Sequence, residues 1–333
     1  MYFVLLVVML LVILVASEIF VNALEHLGER LKISEGVTGS LFAAVGTAMP
    51  ETMVPLIALF AGTDNQTINE EIGVGAILGA PLMLVTLAMG LLAIATLRKR
   101  GLGGAFHPEI SGIRRDLNFF LLAFGAATVA LFVPHHLAVV RVAIASVLVL
   151  TYFVYIMLTL RASEKLVENG HATEADHPML LSRMGLPDNL FVVMIQIGLG
   201  VSLLIAGAKG FIYGVEQLAT HFGVSALLIS LLVVPIATEL PEKVNSILWI
   251  RRRKDTLAFG NLTGAMVFQG ALLPAIGVML TPWEPRHEVF VGVVITLGGA
   301  LWLRFLINSG GLRVWHAMVN GALYLTYLAV VWR

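Results

Sequence analysis

Two short stretches hold the side chains in this sequence that could do chemistry in apolar surroundings. They are Gly46-Thr47-Ala48-Met49-Pro50-Glu51 and Ala237-Thr238-Glu239-Leu240-Pro241-Glu242. Each lies in an apolar run long enough to cross a membrane, and each sets a proline and then a carboxylate near the middle of that run. Proline inside a helix has no amide hydrogen to donate and clashes with the carbonyl four residues back. Pro50 therefore frees the carbonyl of Gly46, and Pro241 frees that of Ala237. A new half-helix can begin at the proline, since that position needs no donor, so broken second and seventh spans are expected. Glu51 and Glu242 then fall in a first helical turn, where the helix dipole favours negative charge. Freed carbonyls, a threonine hydroxyl and a carboxylate are hard oxygen ligands, suited to calcium, magnesium or manganese. Discontinuous helices of this kind build the ion sites of secondary transporters.

An ionisable group at membrane depth costs roughly 2.5–3.5 kcal/mol on insertion scales, so a purely decorative pair of glutamates is not expected. Two buried carboxylates close together cannot both stay charged without a partner, and they titrate as a coupled pair. A site that must be neutralised by one set of ions or another already has the logic of an exchanger. Glu239 lies three residues before Glu242, on the same face of a helical segment; it is a third ligand, a proton carrier or the partner of a lysine. Lys243 directly follows Glu242 and is read as pointing away and snorkelling to the membrane boundary. Lys209 is read as an ion-pair partner of Glu18, as a fixed cation standing in for sodium, or as a snorkelling residue.

Weaker candidates complete the inventory. Gln269, one turn beyond Gly264-Ala265, is a candidate site residue. Asn22 and Gln196 fit hydrogen bonding between helices, and His316 fits packing. Trp249, Trp283, Trp302, Trp315 and Trp332 fall near span ends and fit an aromatic belt. His171, Glu174, Asp176 and His177 could form a weak metal patch, but a solvated loop is the expected reading.

The elements that must position these residues are membrane spans. The 333 residues are 58% hydrophobic and 13% charged, with mean hydropathy +0.91, and many windows reach the ~20 apolar residues a helix needs to span hydrocarbon. Net charge is zero, so nucleic-acid binding has no support, and the absence of cysteine removes disulfides, thiol catalysis and thiolate metal sites. The first apolar run lacks a basic leader and is read as a retained span rather than a signal peptide. Ten spans are predicted, at 2–25, 36–60, 70–97, 116–134, 137–160, 188–214, 223–250, 257–281, 287–306 and 312–332. Lysine and arginine crowd the loops opposite the N-terminus, including Arg98-Lys99-Arg100 and Arg251-Arg252-Arg253-Lys254, whereas the other side carries only Arg286 and Arg333. That asymmetry puts both termini outside the cytoplasm.

An offset of 191 positions superposes Ala16–Ser34 on Gly207–Ser225 and brings Thr47, Pro50 and Glu51 onto Thr238, Pro241 and Glu242. Five spans precede the second copy, so the halves insert with opposite orientation, and a site is expected near the midplane where they meet. The all-α chain then divides into a first five-helix repeat at 1–160, a cytoplasmic linker at 161–187 and a second repeat at 188–333. The helix after each acidic motif also repeats, with Gly75 and Gly79 matching Gly260 and Gly264; glycines four apart let helix backbones approach closely.

With both proline–glutamate motifs and both glycine pairs in view, the chain resembles the sodium/calcium exchanger membrane family of cation/calcium antiporters, as a divergent prokaryotic member. The resemblance spans the whole length, with α-repeats at about 34–90 and 225–277. It implies alternating access, with sodium entry driving calcium export, calcium bound by Glu51 and Glu242, and sodium sites completed by threonines, serines and carboxamides. Carried over by position, Thr47, Glu51, Thr238, Glu242 and Asn261 match. Ala48 and Glu239 stand where the family places serine, Ala80 and Ala265 replace two further serines, and Ala76, Pro81 and Met266 replace asparagines. The divalent ligands are kept while most sodium ligands are lost.

The resulting expectation is an antiporter exporting a divalent cation, foremost calcium, for sodium ions or protons. Glu51, Glu242, Thr47, Thr238, the carbonyls of Gly46 and Ala237, Glu239, Gln269 and Asn261 form the expected ion site. The alternatives are an uncoupled facilitator, a membrane cation-binding protein, or an exchanger for manganese or magnesium. No enzymatic constellation is present, no cofactor is expected, and the expected partners are inorganic cations and the bilayer of a plasma membrane.

Overall fold

A computed structural model describes residues 2–30, 49–167 and 178–332. Within them the secondary structure is helical, apart from one isolated bridge between Ala105 and Arg313. The helices are α1 (Tyr2–Arg30), α2 (Met49–Ala61), α3 (Gln66–Met83), α4 (Met89–Arg100), α5 (Ile110–Ala130), α6 (Ala138–Val167), the short α7 (Leu180–Arg183), α8 (Leu190–Phe222), α9 (Ala226–Arg251), α10 (Asp255–Leu280), α11 (His287–Ser309) and α12 (Val314–Val331). A single π turn, Leu84–Ala88, joins α3 to α4, so that Gln66–Arg100 runs as one 35-residue span. Seven described helices are long and apolar enough to cross a membrane, and Pro50–Ala61 and Ala226–Ile236 are shorter apolar stretches. The predicted spans that fall on described residues match these helices to within a turn or two at most ends.

The chain packs as two compact units that interleave along the sequence, one from residues 1–69 and 156–223 and the other from 70–155 and 224–333. In the first, α1 lies antiparallel on α8. Leu6, Ile13 and Phe20 repeat every seven residues on α1, and Gly214, Gly207 and Gly200 repeat at the same interval on α8. A Cβ at Gly207 would lie 2.9 Å from Ile13 Cγ1, and one at Gly200 2.9 Å from Phe20 Cβ, so the glycine stripe sets the distance between the helices. The polar exception is a cluster at one end of this pair. Asn22 Oδ1 accepts from the Gln196 amide at 2.9 Å and the Leu180 backbone N–H at 3.0 Å, and Gln196 Oε1 accepts from the Leu181 N–H at 3.0 Å. The two carboxamides thus bond each other, as expected, and also satisfy the unpaired donors that open α7.

In the second unit α3, the π turn, α4, α5, most of α6 and α9–α12 pack together. Gly75 and Gly79 of α3 lie against the first half of α9: a Cβ at Gly75 would meet Ser230 Cβ at 2.6 Å, and one at Gly79 would meet the Leu231 carbonyl oxygen and Pro235 Cγ. Pro235 cannot donate to the Leu231 carbonyl, so the backbone of α3 covers the acceptor that the proline leaves open. At the π turn, the buried Asn320 amide donates to the Val85 carbonyl at 2.7 Å. Arg141, also buried, donates to the carbonyls of Val278, Thr281 and Pro282 and so closes the C-terminal end of α10. Glu109 caps α5 by accepting from the Ser111 and Gly112 amides. The Ser111 hydroxyl bond first, and these amides with it, hold its carboxyl below the ordinary range against the opposing effect of burial.

Two expectations are corrected. α9 is helical throughout Ala226–Arg251, so the break predicted at Pro241 is absent. One missing donor and a local clash need not end a helix whose flanking turns keep their bonds, and membrane helices tolerate proline for that reason. Trp283 is 1% exposed and donates from its indole to the Ala127 carbonyl at 3.0 Å; it is core, not belt. Its partner decides this, because an indole N–H that finds a buried acceptor has no need of the interface.

Candidate functional site

The first acidic motif is described from Met49 onward; Gly46, Thr47 and Ala48 lie outside the described residues, as do His171, Glu174, Asp176 and His177. The described part of α2 begins at Met49, directly before Pro50 and Glu51, so the expected first-turn position of Glu51 depends on residues outside the described ones. Glu51 is 3% exposed, and Val54, Ile57 and Ala58 of the same apolar helix are buried with it. A carboxylate kept from water among such neighbours is costly to bury unless it is paired, hydrogen-bonded or protonated.

The second motif lies on α9, whose start is fixed by Ser225: its hydroxyl accepts from the Leu228 N–H at 3.1 Å, a hydroxyl N-cap. Further along the helix, Pro241 leaves the Ala237 carbonyl without an intrahelical donor even though the helix continues. The side chains of Ala237 and Glu242 lie outside the described ones. Thr238 is buried, and its hydroxyl donates to the Val234 carbonyl at 3.1 Å, which leaves the oxygen's lone pairs available as ligands.

Around Glu239 the structure departs from expectation. Glu239 is wholly buried. Lys243, one turn on, does not snorkel: it is itself buried, with Nζ 2.5 Å from Glu239 Oε2. The i,i+4 spacing puts the ammonium over the carboxylate on one helix face, and in apolar surroundings an adjacent carboxylate outweighs the reach of a four-carbon stem toward distant water. The other carboxylate oxygen, Oε1, accepts from the Gln269 amide of α10. Gln269 is thus brought to the acidic motif, as the sequence suggests, and Glu239 is the partner of a lysine, though not Lys209. Lys209 and Glu18 are both exposed, and no ion pair among the described residues joins them. Asn261 donates to the buried Ser246 hydroxyl at 2.9 Å, one turn of α9 beyond Glu242. Gly264 sits 3.7 Å, by its hypothetical Cβ, from the Tyr155 hydroxyl, and Gly260 has no such neighbour, so the second glycine pair makes no tight helix contact.

Sequence reasoning passed over Asp116. It is buried on α5 and accepts from the Thr263 hydroxyl at 2.6 Å and the Tyr155 hydroxyl at 3.1 Å. Thr263 belongs to the Gly260–Gly264 stretch of α10, so a second acid stands behind the repeat helix. An aspartate at the edge of an apolar run is a signal in its own right, but its partners are 39 and 147 positions away. His316, by contrast, is a packing residue as expected: its ring packs at a tilt against Trp315, 3.9 Å between ring centres, and its Nδ1 accepts from the Arg313 N–H.

Comparison with known proteins agrees with this architecture. The putative antiporter CaxA of Alkalimonas amylolytica is 25% identical over 290 residues, covering 82% of this chain and 79% of its own length. The inner membrane protein YrbG of Escherichia coli (strain K12) is 23% identical over 330 residues, covering 95% of each chain. The crystal structure of the H+/Ca2+ exchanger CAX superposes with a TM-score of 0.73 at 19% identity, covering 100% of this chain and 82% of that one. The sodium-calcium exchanger NCX_Mj superposes with a TM-score of 0.57 at 20% identity, covering 99% of each chain. At such identities the two structures speak for the fold alone, an all-helical membrane exchanger fold. The model of the family described as sodium/calcium exchanger protein matches residues 1–161 and 192–333, and with the helices and the buried acids of both motifs on the page, the chain belongs to that family of membrane cation antiporters, transporters rather than enzymes.

Proposed function

We propose that this protein is an antiporter that exports a divalent cation, calcium first, in exchange for sodium ions or protons. The observation that carries the reading is Glu51, a carboxylate almost fully buried on an apolar helix. Its repeat counterpart Glu242 supplies the second carboxylate, and Thr47, Thr238 and the carbonyls of Gly46 and Ala237 complete an all-oxygen shell. Such a shell suits calcium, with magnesium and manganese as competitors. Asn261 and Gln269 support α9 and α10 beside it. The chain is organised as two inverted five-helix repeats, 1–160 and 188–333, joined by a cytoplasmic linker at 161–187, with both termini outside a plasma membrane; the shared 191-residue offset and the one-sided basic loops support this.

Everted membrane vesicles test the reading. Calcium uptake driven by an imposed sodium gradient or pH gradient supports it, and the gradient that works names the coupling ion. Uptake that needs neither gradient makes the protein a facilitator. If calcium, manganese and magnesium all stay outside under both gradients, the antiporter reading is wrong.

A further inference from the structure

Both carboxylate oxygens of Glu239 are engaged by described side chains of the same protein. Lys243 Nζ lies 2.5 Å from Oε2, the Gln269 amide donates to Oε1, and all three side chains are buried. A buried ion pair is at best about as stable as apolar residues of the same volume, so stability alone does not account for a lysine and a glutamate inside an apolar helix. The pair also lies within the second acidic motif, between Thr238 and Glu242. The remaining oxygen of Gln269, Oε1, is buried and has no hydrogen-bond partner. Carboxylate oxygens and a carboxamide oxygen are ligands of the kind a small monovalent cation takes, and an ammonium already occupies the place such a cation would take beside Glu239.

We propose that Lys243 is a tethered monovalent cation. It permanently satisfies Glu239, so the protein loads its divalent ion without a second, monovalent ion bound at that acid. The inference rests on the antiporter reading for its meaning, but the placement of Lys243, Glu239 and Gln269 does not depend on that reading. Removing the ammonium while keeping the carboxylate should open a site for sodium, ligated by Glu239 and by the free oxygen of Gln269.

The test is thermal unfolding of the purified full-length protein without divalent ions, in sodium, lithium, potassium or choline chloride at equal ionic strength. Wild type, Lys243→Met, Lys243→Arg and the double variant Lys243→Met/Glu239→Gln are compared. Sodium or lithium should raise the midpoint of Lys243→Met by several degrees more than that of wild type, the shift expected of a ligand at about 100 times its Kd. Lys243→Arg and the double variant should respond as wild type does. The proposal is overturned if the metal chlorides shift Lys243→Met no more than wild type, if the double variant keeps the extra shift, or if Lys243→Met cannot be recovered in any of the salts. A calcium titration of wild type in the same assay separates the two readings. Absence of calcium stabilisation counts against the antiporter and leaves the sodium comparison intact; absence of the sodium effect counts against the lysine and leaves calcium binding intact.

Discussion

Glu51 and Glu239 show how two buried glutamates of one protein come to differ. Glu239 has a counter-charge one helical turn away on its own helix, whereas Glu51 directly follows Pro50 and is buried on the apolar α2. Under the proposed function Glu51 is the residue that must take up and release a cation. Replacing Glu51 with glutamine keeps the shape and removes the charge. Glu51→Gln is expected to abolish gradient-driven calcium uptake while leaving the unfolding temperature unchanged or higher, because a neutral amide is cheaper to bury than a carboxylate. Vesicle flux and thermal unfolding on the same preparation check it. A variant that transports normally but melts early would make Glu51 a structural residue only.

At the scale of helices, glycine and proline act together more closely than either does alone. Pro235 opens the Leu231 carbonyl, and Gly79 brings the α3 backbone over it; in the other unit, Gly200, Gly207 and Gly214 receive Phe20, Ile13 and Leu6. At Gly79 and Gly200 the atoms met include backbone, and at Gly207 they include the Ile13 nitrogen, whereas Gly214 meets the tip of Leu6. Gly207→Leu is therefore expected to force α8 away from α1. Overpacking of this kind costs about 1–3 kcal/mol or more, read as a fall in unfolding temperature and in recovered monodisperse protein. Gly298→Ala is the control: a Cβ at that position meets nothing within 4 Å.

For the whole molecule, the testable quantity is orientation in the membrane. On the proposed ten-span topology basic residues concentrate in loops on one side, the Arg251-Arg252-Arg253-Lys254 turn among them, and the chain contains no cysteine, so single cysteines can be introduced as unique labels. Glu284 and Arg252 lie in exposed loops at opposite ends of α10. On intact cells a membrane-impermeant maleimide should label Glu284→Cys, and should reach Arg252→Cys only after permeabilisation. The reverse pattern would invert the topology and with it the direction assigned to export.

The sequence by itself determined the membrane class, most helix positions and the acidic motifs, because apolar runs and prolines act locally and leave their mark in consecutive residues. It could not decide whether Pro241 breaks α9, since a missing hydrogen bond is tolerated or not according to what packs around it. Nor could it orient Lys243, whose choice between membrane boundary and Glu239 depends on how deeply α9 is buried. Asp116, Thr263 and Tyr155, and likewise Arg141 and the end of α10, meet only because distant helices are laid side by side. Partners of that kind are a property of the packed molecule, since burial is what makes a polar group require them.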